Sequence, residues 1–177
     1  MYPDDIAENN PRACFVKEYE RDNDTNPMKK VGAYKIFKDR KLIVEYYSGD
    51  INIEDIVILK TALSLEQDFN SGYSIVLDFR ECDLLITKQD VLGFISFLKE
   101  NSIIVGKRKS AYLTTNPNEV VIATIFSTLI KNLPISPKIF TTTEAAVNWL
   151  GIDKINNQDL LEIITELKEQ SDNLYEK

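Results

Sequence analysis

Residues 73–80 read Tyr73-Ser74-Ile75-Val76-Leu77-Asp78-Phe79-Arg80, and this stretch decides the fold. Its centre, Ile75-Val76-Leu77, is apolar at three consecutive positions. Successive side chains of a strand point to opposite faces, so an unbroken apolar run predicts a strand covered on both sides. Strands of that kind belong to parallel sheets sandwiched by helices. Ser71-Gly72 marks a break before it.

Working outward, Ile56, Leu59 and Leu63 recur at three- and four-residue steps and predict a helix over 53–68. Asn52 is its N-cap candidate, with Glu54 and Asp55 in the first turn. Further upstream, 33–38 and 41–48 read as the two strands of a hairpin around a two-residue turn, Asp39-Arg40, closed by Gly49-Asp50. Downstream, Thr87-Lys88-Gln89-Asp90 has the spacing of a capping box and opens a helix to Asn101. Its apolar stripe is Val91, Phe94, Ile95 and Leu98. A strand is predicted at 110–114. Asn116 (N-cap), Pro117 (first helical position) and Glu119 (third) open a helix to Asn132, ended by Pro134 and Pro137. A last strand at 138–141 leads to a short helix stopping at Leu150, with Gly151 as C-cap. A final helix at 157–175 puts Leu160, Ile164, Leu167 and Leu174 on one seam, with Leu161 and Ile163 beside it. The expected class is α/β: a mixed five-stranded sheet, first strand antiparallel and the rest parallel, with helical layers and an extra C-terminal helix.

The 177 residues divide into a polar arm (1–32), an α/β domain (33–152) and an acidic C-terminal helix (153–177). The arm is too polar to bury much surface against its ordering entropy, and reads as loosely held, with Met28 as an alternative start. Net charge is −7. The arm holds five basic and seven acidic residues, the middle 13 and 14, and the last region three and seven. An acidic chain argues against a nucleic-acid backbone or an anionic membrane as partner. No apolar run approaches the roughly 18 residues a membrane span needs, and the N-terminus lacks the pattern of a signal peptide. Two cysteines, Cys14 and Cys82, make no disulfide framework and favour a reduced, cytoplasmic setting. Histidine is absent, which removes imidazole bases, His-containing triads and histidine metal sites. Lys107-Arg108-Lys109 reads as a solvated loop, and no phosphate-binding glycine motif occurs.

Several stretches resemble a known family. They are Lys41-Leu42-Ile43-Val44 through Tyr47-Ser48-Gly49, Ile53-Glu54-Asp55, Val76-Leu77-Asp78-Phe79-Arg80, Thr87-Lys88-Gln89-Asp90, and Ile139-Phe140 followed by Glu144-Ala145-Ala146 and Trp149-Leu150. Together, residues 33–152 resemble the SpoIIAA-like family of the STAS (sulfate transporter and anti-sigma factor antagonist) superfamily. The resemblance implies a non-enzymatic module acting by protein–protein contact, with no cofactor and no metal. For some related families it implies binding of lipids or other apolar ligands. It sets Thr87 at the position where antagonists of the family carry a phosphorylatable Ser. The Asp-Ser pair of that motif is absent here, since Leu84-Leu85-Ile86 precede Thr87.

Three readings follow. The first is a protein-binding regulatory module, with Asp78, Arg80, Asp83 and Asp90 as candidate interaction surface and Thr87 as candidate regulatory position. The second is a carrier or sensor of an apolar small molecule, in a pocket walled by the helix at 117–132, with Val121, Ile125, Phe126 and Leu129 as its candidate residues. The bland alternative for that helix is burial between the sheet and the C-terminal seam. The third is a carboxylate metal site at Asp78 and Asp83 with Glu81 and Asp90, against the commoner salt-bridged loop. The same C-terminal seam serves equally for a homodimer. Arg80 is expected to pair with a carboxylate across the loop.

Overall fold

A computed structural model describes residues 12–17 and 30–173, with side chains over 32–172. One sheet runs through it in the order β1 (Arg12–Lys17), β2 (Lys30–Phe37), β3 (Leu42–Ile51), β4 (Ser74–Leu84), β5 (Arg108–Leu113), β6 (Ile135–Phe140). β2 pairs antiparallel with β3, and β3, β4, β5 and β6 are mutually parallel. The five expected strands are these, and β1, from within the polar arm, adds a sixth by pairing antiparallel with β2. The expected looseness of 1–11 and 18–29, the alternative start at Met28 and the seam position Leu174 lie outside the described residues.

The strands that read as doubly apolar are buried on both faces. Ile43, Tyr47, Ile75, Leu77, Phe79 and Tyr112 point to one side, where they pack with α1 (Ile53–Ser64), α2 (Lys88–Glu100) and α3 (Pro117–Leu129). Leu42, Val44, Tyr46, Val76, Ala111 and Leu113 point to the other, under α4 (Thr143–Leu150) and α5 (Asn157–Asn173). The alternation is the period-two geometry of a strand applied to two cores.

The hairpin turn differs from expectation. Phe37 pairs with Leu42, so the loop has four residues, 38–41, and Lys41 takes the left-handed conformation at φ 50°. A two-residue turn would need positive φ at both central positions (type I′) or at the first (type II′), where glycine is preferred and Asp39-Arg40 supplies none. The longer loop confines that conformation to one residue. β4 also runs five residues past Phe79, to Leu84, because β3 continues beside it through Gly49 and Asp50 to Ile51. Gly49 and Asp50 therefore lie within the ladder.

The C-terminal seam needed a partner, and the helix at 117–132 is not it. Leu160, Ile163, Ile164 and Leu167 are buried against α4 and the second face of the sheet, with Ile155 and Val147. α3 lies across the sheet from them. Lys35 and Lys168 tie α5 down, to Glu166 from β2 and to Glu81 at the end of β4. Three helix starts are as read: Asn52 and Thr87 each form a complete capping box, and Asn116 caps α3 ahead of Pro117. Gly151 ends α4 at φ 66°.

Candidate functional site

β5 and β6 end level with Asp78, β3 and β4 run on to Ile51 and Leu84, and the helices that follow β4 and β5 start beside this extension. Three residues separate α2 from β4, and three separate α3 from β5. Asn116 Nδ2 donates to Asp83 Oδ1 (3.3 Å), and Asn118 Nδ2 donates to the Leu84 carbonyl (3.4 Å), so the start of α3 is pinned to the end of β4. α2 and α3 then pack side by side, with Phe94 and Phe126 in ring contact. In parallel sheets, this is the end where function is usually placed, because the loops are free to vary there.

The acidic residues at this end do not act as one group. Asp78 is buried and receives Arg80 Nε (2.8 Å) and its terminal nitrogen (2.6 Å). The carboxylate partner of Arg80 is thus two residues back on the same strand. Glu81 accepts from Tyr46 and Lys168, Asp83 from Asn116, and Asp90 from Thr87. Among the described residues no three potential ligands converge on a metal-sized space. Cys82 is buried, and burial with nearby carboxylates drives its thiol far above the ordinary range, so the thiolate is disfavoured.

Thr87 sits at the N-cap of α2. Its hydroxyl accepts from the Asp90 amide (3.3 Å) and donates to Asp90 Oδ2 (2.7 Å), while its own amide donates to the same oxygen (2.8 Å). Those bonds hold the Asp90 carboxyl below its usual range. Thr87→Ala is expected to cost about 1 kcal/mol, and Thr87→Ser to cost little, in urea unfolding. A phosphate on this hydroxyl would meet the Asp90 carboxylate at hydrogen-bond distance, a like-charge contact that has to open first.

Inward of this end, α1, α2, α3 and the first face of the sheet enclose a cavity of about 80 Å³. Its walls are apolar, including Ile56, Leu77, Phe79, Leu98, Ile122 and Phe126. Of the four positions on α3 singled out from the sequence, Phe126 lines it. Ile125 is half-buried against the same core, while Val121 and Leu129 face outward.

Polar side chains reach the cavity from two ends. At one end Lys60, on the buried face of α1, gives both carboxylate oxygens of Glu45 an ammonium at 2.6 and 2.7 Å, and Tyr47 donates to the same carboxylate at 2.8 Å. Glu45 is completely buried. Burial pushes the Lys60 ammonium down and the Tyr47 phenol far up. Beside them lies Arg108, expected in a solvated loop but only 9% exposed. One of its terminal nitrogens donates to the Ile104 carbonyl (2.9 Å) and the Ser71 carbonyl (3.3 Å). The cause is register: Arg108 is the first residue of β5, and its side chain turns under the sheet while its neighbours Lys107 and Lys109 stay outside. Lys109 instead binds the last carbonyls of α4, at Trp149 and Leu150.

At the other end, Glu119 turns in from the first turn of α3 and accepts a short hydrogen bond from the Thr114 hydroxyl. Burial, with Asp83 and Asp78 nearby, holds its carboxyl above the usual range. The folded state therefore binds this proton more tightly than the unfolded chain, and the associated stability is lost as pH rises through the folded value. Glu119→Gln removes that loss. Its stability relative to the parent is expected to be higher at pH 7 than at pH 4, measured by urea unfolding at both.

Two solved structures are similar to this chain in fold. One is an uncharacterized protein of the DUF3478 family with a SpoIIAA-like fold from Shewanella loihica PV-4: 14% identity over 73% of this chain and 99% of that one, TM-score 0.48. The other is the anti-sigma factor antagonist SpoIIAA in its unphosphorylated form: 12% identity over 68% and 98%, TM-score 0.43. No family model and no curated protein matches.

On the outer side of these elements, apolar side chains stand in water. Leu85, between β4 and α2, is 59% exposed, and Val121 on α3 is 54% exposed. Leu92 on α2 and Val120 on α3 are also exposed. Position along the sequence gave no signal for Leu85, which follows a buried strand and precedes the buried Ile86. No helix among the described residues is long and apolar enough to cross a membrane.

Proposed function

We propose that the chain is a regulatory binding module that acts by contact with another protein, through the face where β4 ends and α2 and α3 begin. The observation that carries this is the group of exposed apolar side chains, Leu85, Leu92, Val120 and Val121, on elements pinned together at one end of the sheet. Exposed large apolar residues gathered on adjoining elements, rimmed by charge such as Asp83 and Lys88, have the composition of a protein contact surface. The reading assigns the chain no chemical step. The carboxylates at this end are engaged in an ion pair with Arg80, an ion pair with Lys168 and a helix cap at Thr87.

α2 and α3 each begin at a side-chain cap, and Asn116 and Asn118 tie the start of α3 to the end of β4. Paired Leu85→Glu and Val121→Glu substitutions replace apolar contact area with charge at positions already in water, so the fold is expected to survive. Affinity capture with the parent and the double variant tests the proposal. A protein retained by the parent and lost with the variant supports it. An identical set of captured proteins contradicts it.

A further inference from the structure

The cavity between the helices and the sheet is independent of that outer face, and two of its features are unexplained by packing. The first is the void itself. Protein interiors are close-packed, and an unfilled apolar space forfeits dispersion contacts. α3 could close it, yet the apolar residues Ile122, Ala123, Ile125 and Phe126 are each only partly buried. The second is Arg108. Its Nε is buried and has no hydrogen-bond partner, and its terminal nitrogen meets only carbonyl oxygens. The nearby carboxylate, Glu45, is already held by Lys60 and Tyr47. Glu45, Lys60 and Arg108 therefore bury one negative group against two cationic ones. Buried charge of that kind is costly without a partner.

We propose that this cavity is a binding site for an unbranched monocarboxylate, with its carboxylate on Arg108 and its alkyl chain among Ile56, Leu98, Ile122 and Phe126. A guanidinium offers a carboxylate directed, charge-assisted hydrogen bonds, and the added anion balances the buried cluster. The space sets the length. The cavity of about 80 Å³, at roughly 10–15 Å³ for each water-sized position, takes on the order of five to eight heavy atoms. Arg108 at the start of β5 and Thr114 just past its end both border the cavity, so the chain lies along that strand. Glu119 at the far end has an unpartnered buried oxygen, Oε1, and repels a second carboxylate. The site therefore takes one anionic head and rejects a dicarboxylate.

Isothermal titration of the full chain with butanoate and hexanoate, against 1-hexanol and butanedioate, none larger than eight heavy atoms, tests this. Saturable one-to-one binding of at least one alkanoate is expected, with 1-hexanol at least tenfold weaker and butanedioate not bound. Ala123→Phe, on the half-exposed helix, fills the cavity and is expected to abolish binding while the fold persists. Arg108→Gln is expected to bring alkanoate affinity down to that of the alcohol. Should Arg108→Gln fail to fold, the contrast between acid and alcohol in the parent protein still decides the role of the head group. Equal affinity for 1-hexanol and hexanoate, absence of saturable binding by either alkanoate, or alkanoate binding unchanged in Ala123→Phe would each overturn the proposal.

Discussion

Replacing Lys60 by Met is expected to lower the unfolding free energy by about 3–5 kcal/mol, the range for removing one member of a buried ion pair. The reason lies in what is left behind. Glu45 is completely buried in the middle of β3, beside Leu77 of β4, and both of its oxygens face the Lys60 ammonium. Without that ammonium the carboxylate keeps only the Tyr47 hydroxyl and the field of Arg108. The pair itself need not be a net gain, since desolvating both charges offsets much of their attraction. A double substitution separates the two effects. Glu45→Gln with Lys60→Met removes both charges and leaves an amide oxygen to accept from Tyr47. It is expected to recover more than half of the single-variant loss in urea unfolding. A double variant as unstable as Lys60→Met would show that packing of the lysine stem, and not the orphaned carboxylate, sets the cost.

Truncation after Ile155 is expected to abolish cooperative unfolding. Residues 33–152 contain every parallel strand, yet one of the two cores is roofed in large part by α5. Leu160 and Leu167 are fully buried, and they cover Val44, Val76 and Leu113 together with α4. Removing the helix exposes a central sheet face that is apolar across three strands, and such a face in water associates or unravels. A graded version is Leu167→Ala, expected to cost about 2–5 kcal/mol as a buried large-to-small change. Circular dichroism with temperature and sedimentation on the truncated chain give the readout. A monomer with a sharp transition near that of the full chain would mean that α5 is an accessory.

The architecture was legible because period and punctuation both survive in the sequence. Ile75-Val76-Leu77 announced a doubly covered strand, and that strand is central. Asn52, Thr87, Asn116 and Gly151 marked helix ends by residue chemistry that the structure reproduces. What composition concealed was pairing between distant segments. β1 sits in a polar arm, where its short apolar run Ala13-Cys14-Phe15-Val16 pairs with β2. The seam of α5 packs on α4 and the back of the sheet, and not on the helix at 117–132.

The candidate site was legible only at its rim. Thr87, Asp83 and Asp90 lie on exposed, polar segments, where motif reading works. The inner polar groups were disguised by their surroundings. Arg108 stands between two lysines that are solvated, so the run read as a surface loop. Lys60 falls on the apolar stripe of α1, four residues after Ile56, a position that flags a charged residue turned inward. Glu45 interrupts an otherwise apolar strand in the same way. A charge at a core-periodic position was the available signal for both, and each needed the other to be interpretable.

Site-specific photo-crosslinking in the native cell tests the central claim most directly. A photoreactive residue at Leu85, at Val121 and at Leu65 samples the proposed face twice and a control site once. Leu65 is exposed and apolar too, but it caps the far end of α1, which runs back from the end of β3 towards the start of β4. The account predicts a crosslink to the same protein from positions 85 and 121, and none to that protein from 65. Crosslinking from 65 alone, or from none of the three, would contradict it.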